Sequence, residues 1–158
     1  MNSLVKLISY EDKYIKDLNK IHLTAENQKF TQTPNKVLET LHDPNRRMVI
    51  IINENTCVGY FVLHEKEGAL GIGFDDKALL IRSLAVNSLE QGKGFAFKGM
   101  SILPEFVKEY YINVNKIALI VNTKNVPAQR LYQKVGFVKH SSRMHETHGI
   151  QFIYRYDL

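Results

Sequence analysis

One stretch constrains the fold more than any other: Leu79–Tyr111, which reads LLIRSLAVNSLEQGKGFAFKGMSILPEFVKEYY. Its first part, Leu79–Val86, is apolar except for Arg82 and Ser83, the pattern of a mostly buried strand. The chain turns through Asn87–Glu90 into Gln91-Gly92-Lys93-Gly94-Phe95-Ala96. Ala96, Met100, Leu103, Val107 and Tyr110 then recur at spacings of three or four, which predicts a helix with one buried face. A strand that runs through a Gly-rich turn into a helix makes an anion pocket. The first-turn amides have no partner inside the helix and stand at the positive end of its dipole. Gly92 and Gly94 lack a Cβ, so a phosphate can approach the backbone there. Read alone, the turn is either a diphosphate cradle or a tight connection with no ligand.

The kind of cradle can be narrowed. A P-loop needs Lys after its last Gly, and Phe95 follows Gly94. A dinucleotide fingerprint counted from Gly92 needs Gly or Ala where Phe97 stands, and no second βαβ half is visible. What remains is Q-x-x-G-x-A over Gln91–Ala96, which resembles the acyl-CoA pyrophosphate loop of the GNAT (GCN5-related N-acetyltransferase) superfamily. Downstream, Asn125-Val126-Pro127-Ala128-Gln129-Arg130-Leu131-Tyr132-Gln133-Lys134-Val135-Gly136-Phe137 resembles that family's N-x-x-A-x-x-L-Y-x-K-x-G-F at every defined position. On a helix Asn125, Ala128 and Tyr132 share one face, and Gly136 is placed to end it. Ala128 leaves room for a ligand chain, and Asn125 and Tyr132 offer it polar groups. Without a ligand, Asn125 reads as an N-cap and Tyr132 as the edge of a core.

The remaining chain fits the same order. Leu4–Ser9, Met48–Ile52, Thr56–His64, Lys116–Val121, Gly136–Ser142 and Gln151–Tyr156 read as strands, with Asn53-Glu54-Asn55 a hairpin signal. Helical spacing covers Tyr14–His22, Pro34–Leu41 and Asn125–Lys134, while Thr24–Thr33 and Glu65–Lys77 read as connections. The β-α-α-β-β-β-α-β-α-β-β sequence is a mixed α/β pattern. The resemblance implies the GNAT fold: a central mixed, mostly antiparallel sheet with a splayed pair of strands and about four helices. We expect a single N-acetyltransferase domain over residues 1–158.

Composition adds exclusions. A chain of 158 residues, 44% hydrophobic, can bury a substantial core, and no apolar run approaches bilayer-spanning length. The N-terminus, MNSLVKLISYEDKYIKD, lacks the apolar core of a signal peptide. Cys57 is the one cysteine, which excludes an internal disulfide and fits a reducing cytoplasm; its apolar surroundings read as core. The net charge of +5 is spread along the chain, so neither a nucleic-acid partner nor a membrane is expected.

The resemblance implies an acetyl-CoA-dependent N-acetyltransferase, with acetyl-CoA as cosubstrate and no metal. The diphosphate would rest on Gly92, Lys93, Gly94, Phe95 and Ala96 beside Gln91. The pantetheine arm would run along Leu84, Ala85 and Val86, near Asn125, Ala128 and Tyr132. Tyr132, by family position, is the catalytic proton donor to the leaving thiolate. An alkylamine is protonated at neutral pH, so a base is also needed. The family often has a glutamate four residues before Val86, and Arg82 stands there. An arginine is no base, so it either pairs with an acidic residue, the reading we favour, or meets an acidic part of the substrate. Glu26, His64, Glu146 and His148 are the other candidates, each readable as a solvated loop residue. His145-Glu146-Thr147-His148 lacks a third metal ligand. The expected loops on the acceptor side are Thr24–Pro34, Glu65–Phe74 and Ser142–Gly149, whose mixed charges neither support nor exclude a polyamine. Three activities fit: acetylation of a small primary amine, acetylation of a protein or peptide amine, and acyl-CoA binding without catalysis. A homodimer is common in the family, and nothing in the sequence decides it.

Overall fold

Alternation along the strands explains the layering. In β2 (Arg46–Asn53) Met48, Ile50 and Ile52 pack into one apolar cluster while Val49 and Ile51 pack into another. An apolar residue at every position therefore means a strand covered on both faces. The computed structural model describes residues 4–158, so the first three residues of the N-terminal stretch read for a leader lie outside it.

Among the described residues seven strands form one sheet in the order β1-β2-β3-β4-β5-β7-β6. The others are β1 (Val5–Ser9), β3 (Thr56–His64), β4 (Ala78–Val86), β5 (Lys116–Asn122), β6 (Val138–His145) and β7 (Gly149–Asp157). All pairings are antiparallel except β4 with β5. Among the described residues six α-helices accompany them: α1 (Ile15–Leu18), α2 (Ala25–Gln28), α3 (Pro34–Leu38), α4 (Glu67–Leu70), α5 (Phe95–Tyr110) and α6 (Val126–Val135). α2 and α4 lie in segments expected to be connections. α2 forms because Thr24 Oγ1 accepts from the Asn27 amide while the Asn27 side chain accepts from the Thr24 amide, a reciprocal cap. The helix expected over Tyr14–His22 is a 3₁₀ turn at Asp12–Tyr14 followed by α1, which stops at Leu18. Ile21 and Leu23 are nevertheless buried, because the chain beyond α1 lies on the sheet.

On one face α5 and α6 cover Val49, Ile51, Phe61, Leu79 and Ile81 with Met100, Leu103, Val107 and Tyr132. On the other, Leu18 and Val37 cover Met48, Ile50, Tyr60 and Val62. No helix among the described residues is long and apolar enough to cross a membrane.

Two features of β4 shape the molecule. β4 pairs with β5 only over Ala78–Ile81, against Lys116–Leu119; beyond that β5 stays with β7 and β4 with β3. The sheet therefore opens between Arg82–Val86 and Ile120–Asn122. The second feature is a bulge. Val62 lies opposite Arg82 and Tyr60 opposite Ala85, so β4 carries one residue more than β3 there. Ser83 absorbs it with φ +58. As side chains alternate with a period of two, the extra residue swaps faces. Leu79 and Ile81 face α5 before the bulge; Leu84 and Val86 face it after the bulge.

Cys57 is core, as its neighbours imply: it is buried, and burial pushes its thiol up to about 12. The sign follows from linkage. An unfolded thiol loses its proton near its ordinary value of 9.0, whereas the folded one holds it to about 12, so the unfolded state binds fewer protons in that window. Stability attributable to Cys57 is complete below pH 9 and declines as pH rises towards 12. We expect native protein to resist iodoacetamide at pH 8 and urea-unfolded protein to react at Cys57. In urea titrations between pH 9 and 11, Cys57→Ala should flatten the alkaline decline in midpoint. An unchanged decline would assign that slope to other groups.

Candidate active site

The Gly-rich turn is built as an open cradle. Asn87 caps a 3₁₀ turn at Ser88–Glu90, and the chain then passes through Gly92 at φ +84 and Gly94 at φ +82 into α5. A Cβ added at either glycine meets no heavy atom within 4 Å. The space beside the backbone is open, and the positive φ is what glycine supplies. No side chain caps the start of α5, in contrast to α6, where Asn125 Oδ1 accepts from the Ala128 amide at 3.3 Å. The first amides of a four-turn helix are thus left facing outward. The Gln91 side chain amide is already engaged. Its Nε2 donates to Val86 O at 3.2 Å and to Asn27 Oδ1 at 3.1 Å, so it ties the turn to β4 and α2. Lys93 reaches back to Glu90 at 2.7 Å and does not line the cleft.

A cleft of about 1210 Å³ runs from this cradle through the gap between β4 and β5. Leu84, Ala85, Val86, Gln91, Gly92, Gly94, Phe95 and Ala96 line it, and so do Asn125, Ala128 and Tyr132 from α6. The cleft lining therefore includes every residue expected beside acetyl-CoA except Lys93. On the gap side no strand pairs with β4 over Arg82–Val86, where Val86 O accepts from Gln91 Nε2, and an edge without a strand partner is the kind that accepts an added strand. Tyr132 is 7% exposed, packs edge-on against Phe137 at 5.6 Å, and its hydroxyl has no hydrogen-bond partner among the described residues. Burial holds its phenol well above the usual tyrosine range, so it stays protonated.

The opposite face of the sheet supplies the other end of the cleft. Arg46 lies opposite His64 in register, Arg82 is diagonal to His64, and Arg143 lies opposite Gln151, which in turn lies opposite Asn122. Arg46, Arg82, Asn122, Arg143, His145, His148 and Gln151 all line this part, with Thr31 and Gln32 above them. Thr31 Oγ1 is buried without a hydrogen-bond partner among the described residues.

Several expectations are corrected here. Arg82 pairs with no carboxylate among the described residues; its Nη1 lies 3.2 Å from His64 Nδ1. His64 is not a solvated loop residue. It is 3% exposed, with Nε2 at 3.2 Å from Glu67 Oε1 and 3.6 Å from Asp43 Oδ2. An arginine N–H must donate, so Nδ1 accepts and Nε2–H faces the carboxylates. That lone pair is engaged and the ring lies outside the cleft lining, so His64 is not placed to take a substrate proton. Asp43, His64 and Glu67 come within 4.8 Å of one another, but the guanidinium on Nδ1 gives the cluster a cation already. Of the expected acceptor-side loops, nothing from Glu65–Phe74 lines the cleft, because α4 packs against β3 and β4 away from the gap. Of the remaining base candidates Glu26 and His148 line the cleft and Glu146 does not. Glu26 is ion-paired with Lys29 at 2.8 Å, and the His148 ring stacks on His145 at 4.6 Å.

Residues 11–137 match the acetyltransferase (GNAT) family. The chain belongs to the acetyltransferase (GNAT) family and is an acyltransferase. It is similar to the uncharacterized N-acetyltransferase YbbJ of Bacillus subtilis (strain 168), with 34% identity over 155 residues, which cover 97% of each chain. In fold it is similar to the aminoglycoside acetyltransferase AAC(6')-Ib solved in complex with coenzyme A, with a TM-score of 0.77 at 18% identity, covering 97% of this chain and 94% of that one. A spermidine N-acetyltransferase SpeG chimera, from Vibrio cholerae and hSSAT, matches with a TM-score of 0.70 at 21% identity, covering 98% and 96%.

Residues not singled out from the sequence complete this acetyltransferase's cleft. Ser83 sets the bulge, and its Oγ donates to Gln32 Oε1 at 3.3 Å, while Tyr60 Oη donates to Gln32 O at 2.5 Å. Together these bonds hold the α2–α3 loop over the gap. Asn122 Nδ2 donates to His148 O at 2.6 Å and fixes the β6–β7 turn at the rim. Thr24-Ala25-Glu26-Asn27 carried a readable cap signal; Ser83 and Asn122 carried none, since their roles come from strand pairing.

Proposed function

We propose that this acetyltransferase moves an acetyl group from acetyl-CoA to the primary amine of a small molecule by direct attack, with Tyr132 as proton donor. The observation that carries the reading is one continuous cleft with an uncapped helix start at one end and a buried, unpartnered phenol beside the strand gap. In this reading the amides of Gly92–Ala96 hold the diphosphate of acetyl-CoA, and the edge of Leu84–Val86 pairs with the pantetheine amides. Asn125 shapes the start of α6, and Ala128 leaves room for the arm. The acetyl carbonyl lies at the gap. The neutral amine adds to it from the arginine-lined face, the nitrogen of the adduct gives up a proton to solvent, and the tetrahedral intermediate collapses by breaking the C–S bond. The departing thiolate takes the Tyr132 proton, and the phenolate is reprotonated from solvent. No metal enters these steps, and the cytoplasm is the compartment in which acetyl-CoA and a free buried thiol fit together.

The cradle is tested at Gly94. A Cβ there meets no atom, so Gly94→Ala costs only the left-handed backbone, about 1–2 kcal/mol. It does place a methyl group where the diphosphate would rest. We expect the acetyl-CoA Kd to rise at least about tenfold, or about 1.4 kcal/mol. Gly73→Ala, at φ +93 with equally open space but outside the cleft lining, should show similar strain and parental affinity. Calorimetric titration that gives Gly94→Ala the parental Kd would remove the diphosphate from this turn.

A further inference from the structure

We propose that the amine acetylated here carries an anionic carboxylate or phosphate, held by Arg82 and Arg143. The inference rests on the acetyltransferase reading above and names the substrate class of that cleft. The first ground is a charge census. Carboxylates at Glu65, Glu67, Asp75 and Asp76 lie outside the cleft lining. The two acids that do line it are both engaged, Glu26 by Lys29 at 2.8 Å and Glu90 by Lys93 at 2.7 Å. Arg46 has Asp43 at 3.5 Å, whereas Arg82 and Arg143 have no carboxylate partner among the described residues.

The second ground is geometry. Arg82 spends one N–H on His64, and Arg143 spends Nε on Gln151 Oε1 at 2.9 Å. Most of their fork of donors remains for a ligand, and a guanidinium fork matches the paired oxygens of a carboxylate or phosphate. The third ground is that these like charges are crowded. Burial, followed by the charges of Arg46 and Arg143, presses Arg82 below the usual arginine range. Arg82 and Arg143 have no carboxylate of their own among the described residues, so an anion that enters relieves the repulsion between them. That anion is not the diphosphate of acetyl-CoA, since the arginines lie on the sheet face away from α5 and its uncapped amides. The buried Thr31 Oγ1 offers a further hydrogen bond on the same side. A polycation such as spermidine or an aminoglycoside would meet repulsion where it needs carboxylates.

The test measures CoA thiol release by the intact protein with acetyl-CoA and matched amines: phenylalanine against phenethylamine, lysine against cadaverine, and phosphoethanolamine against ethanolamine, with spermidine and kanamycin beside them. We expect the anionic member of at least one pair to exceed its partner in kcat/KM by about tenfold or more. The amino acid and phosphate arms distinguish the two anion sources. Arg143→Gln should raise KM for that substrate about tenfold and leave KM for acetyl-CoA unchanged; Arg143→Glu should shift preference towards cadaverine. Arg82→Gln should act as Arg143→Gln does, and the Arg143 pair keeps the test decisive if Arg82→Gln folds poorly. Equal or better turnover of the cationic members overturns the inference and leaves the acetyltransferase reading intact. Acetyl-CoA binding with no thiol release from any amine overturns the acceptor assignment alone, and absence of acetyl-CoA binding overturns both.

Discussion

Replacing Tyr132 with Phe should lower kcat about a hundredfold while the Kd for acetyl-CoA and the melting temperature stay close to parental. The rate follows from the role: a positioned general acid contributes roughly 10²–10⁴-fold, and expelling an unprotonated thiolate is the step that loses it. The unchanged stability follows from the site. The hydroxyl has no partner among the described residues, so its removal leaves no buried group orphaned, and the ring keeps its contact with Phe137. The pH dependence gives a second handle. Burial raises the Tyr132 pKa, so the phenol is the populated form throughout an assay range of about pH 6–9.5. The parent's kcat/KM should therefore rise with pH as the attacking amine loses its proton, with no alkaline fall from Tyr132 in that range. Tyr132→Phe should show the same slope displaced downward. Stopped-flow measurement of thiol release with the best amine decides it. Unchanged turnover at every pH would take Tyr132 out of the proton transfer.

Why the family resemblance reaches Tyr132, while no local pattern places Arg82 beside His64 or Arg143 beside Gln151, is a matter of range. The α6 signals are local: Asn125 caps the first turn, Gly136 at φ +121 ends the last, and the face between is set by helical spacing. Gly92 and Gly94 announce positive φ by residue type alone. The buried strands show themselves as apolar runs because both sheet faces are covered. Ser83 is the opposite case. Nothing in a serine signals φ +58, and the bulge exists because β3 and β4 differ by one residue in their pairing. The partner of Arg82 depends on that same register, which puts His64 diagonal to it and leaves acidic residues out of reach. Arg143 reaches the cleft through β7, which lies between β5 and β6 in the sheet. Contacts across strands distant in sequence leave no local pattern to read.

Gly59 lets β3 and β4 approach closely beside the gap between β4 and β5. Gly59 lies opposite Val86, and a Cβ added there would stand 2.5 Å from Ala85 O and 3.3 Å from Val86 Cα. Both are backbone atoms of the segment that lines the gap, so no side chain can swing aside to make room. Gly59→Ala must push the end of β4 towards the gap or strain the pair, and overpacking of this kind costs about 1–3 kcal/mol. In a chain of 158 residues that corresponds to a melting temperature lower by roughly 2–12 °C. Acetyl-CoA affinity should fall as well, because the displaced edge is the one proposed to pair with pantetheine. Gly99→Ala is the matched control: its Cβ would come within 3.2 Å of Ile51 Cδ1, the flexible end of a side chain, inside α5 and away from the cleft lining. It should cost less stability and leave affinity unchanged. Calorimetric melts and titrations of the two variants separate the effects. If Gly59→Ala melts and binds like the parent, β3 does not hold β4 in place.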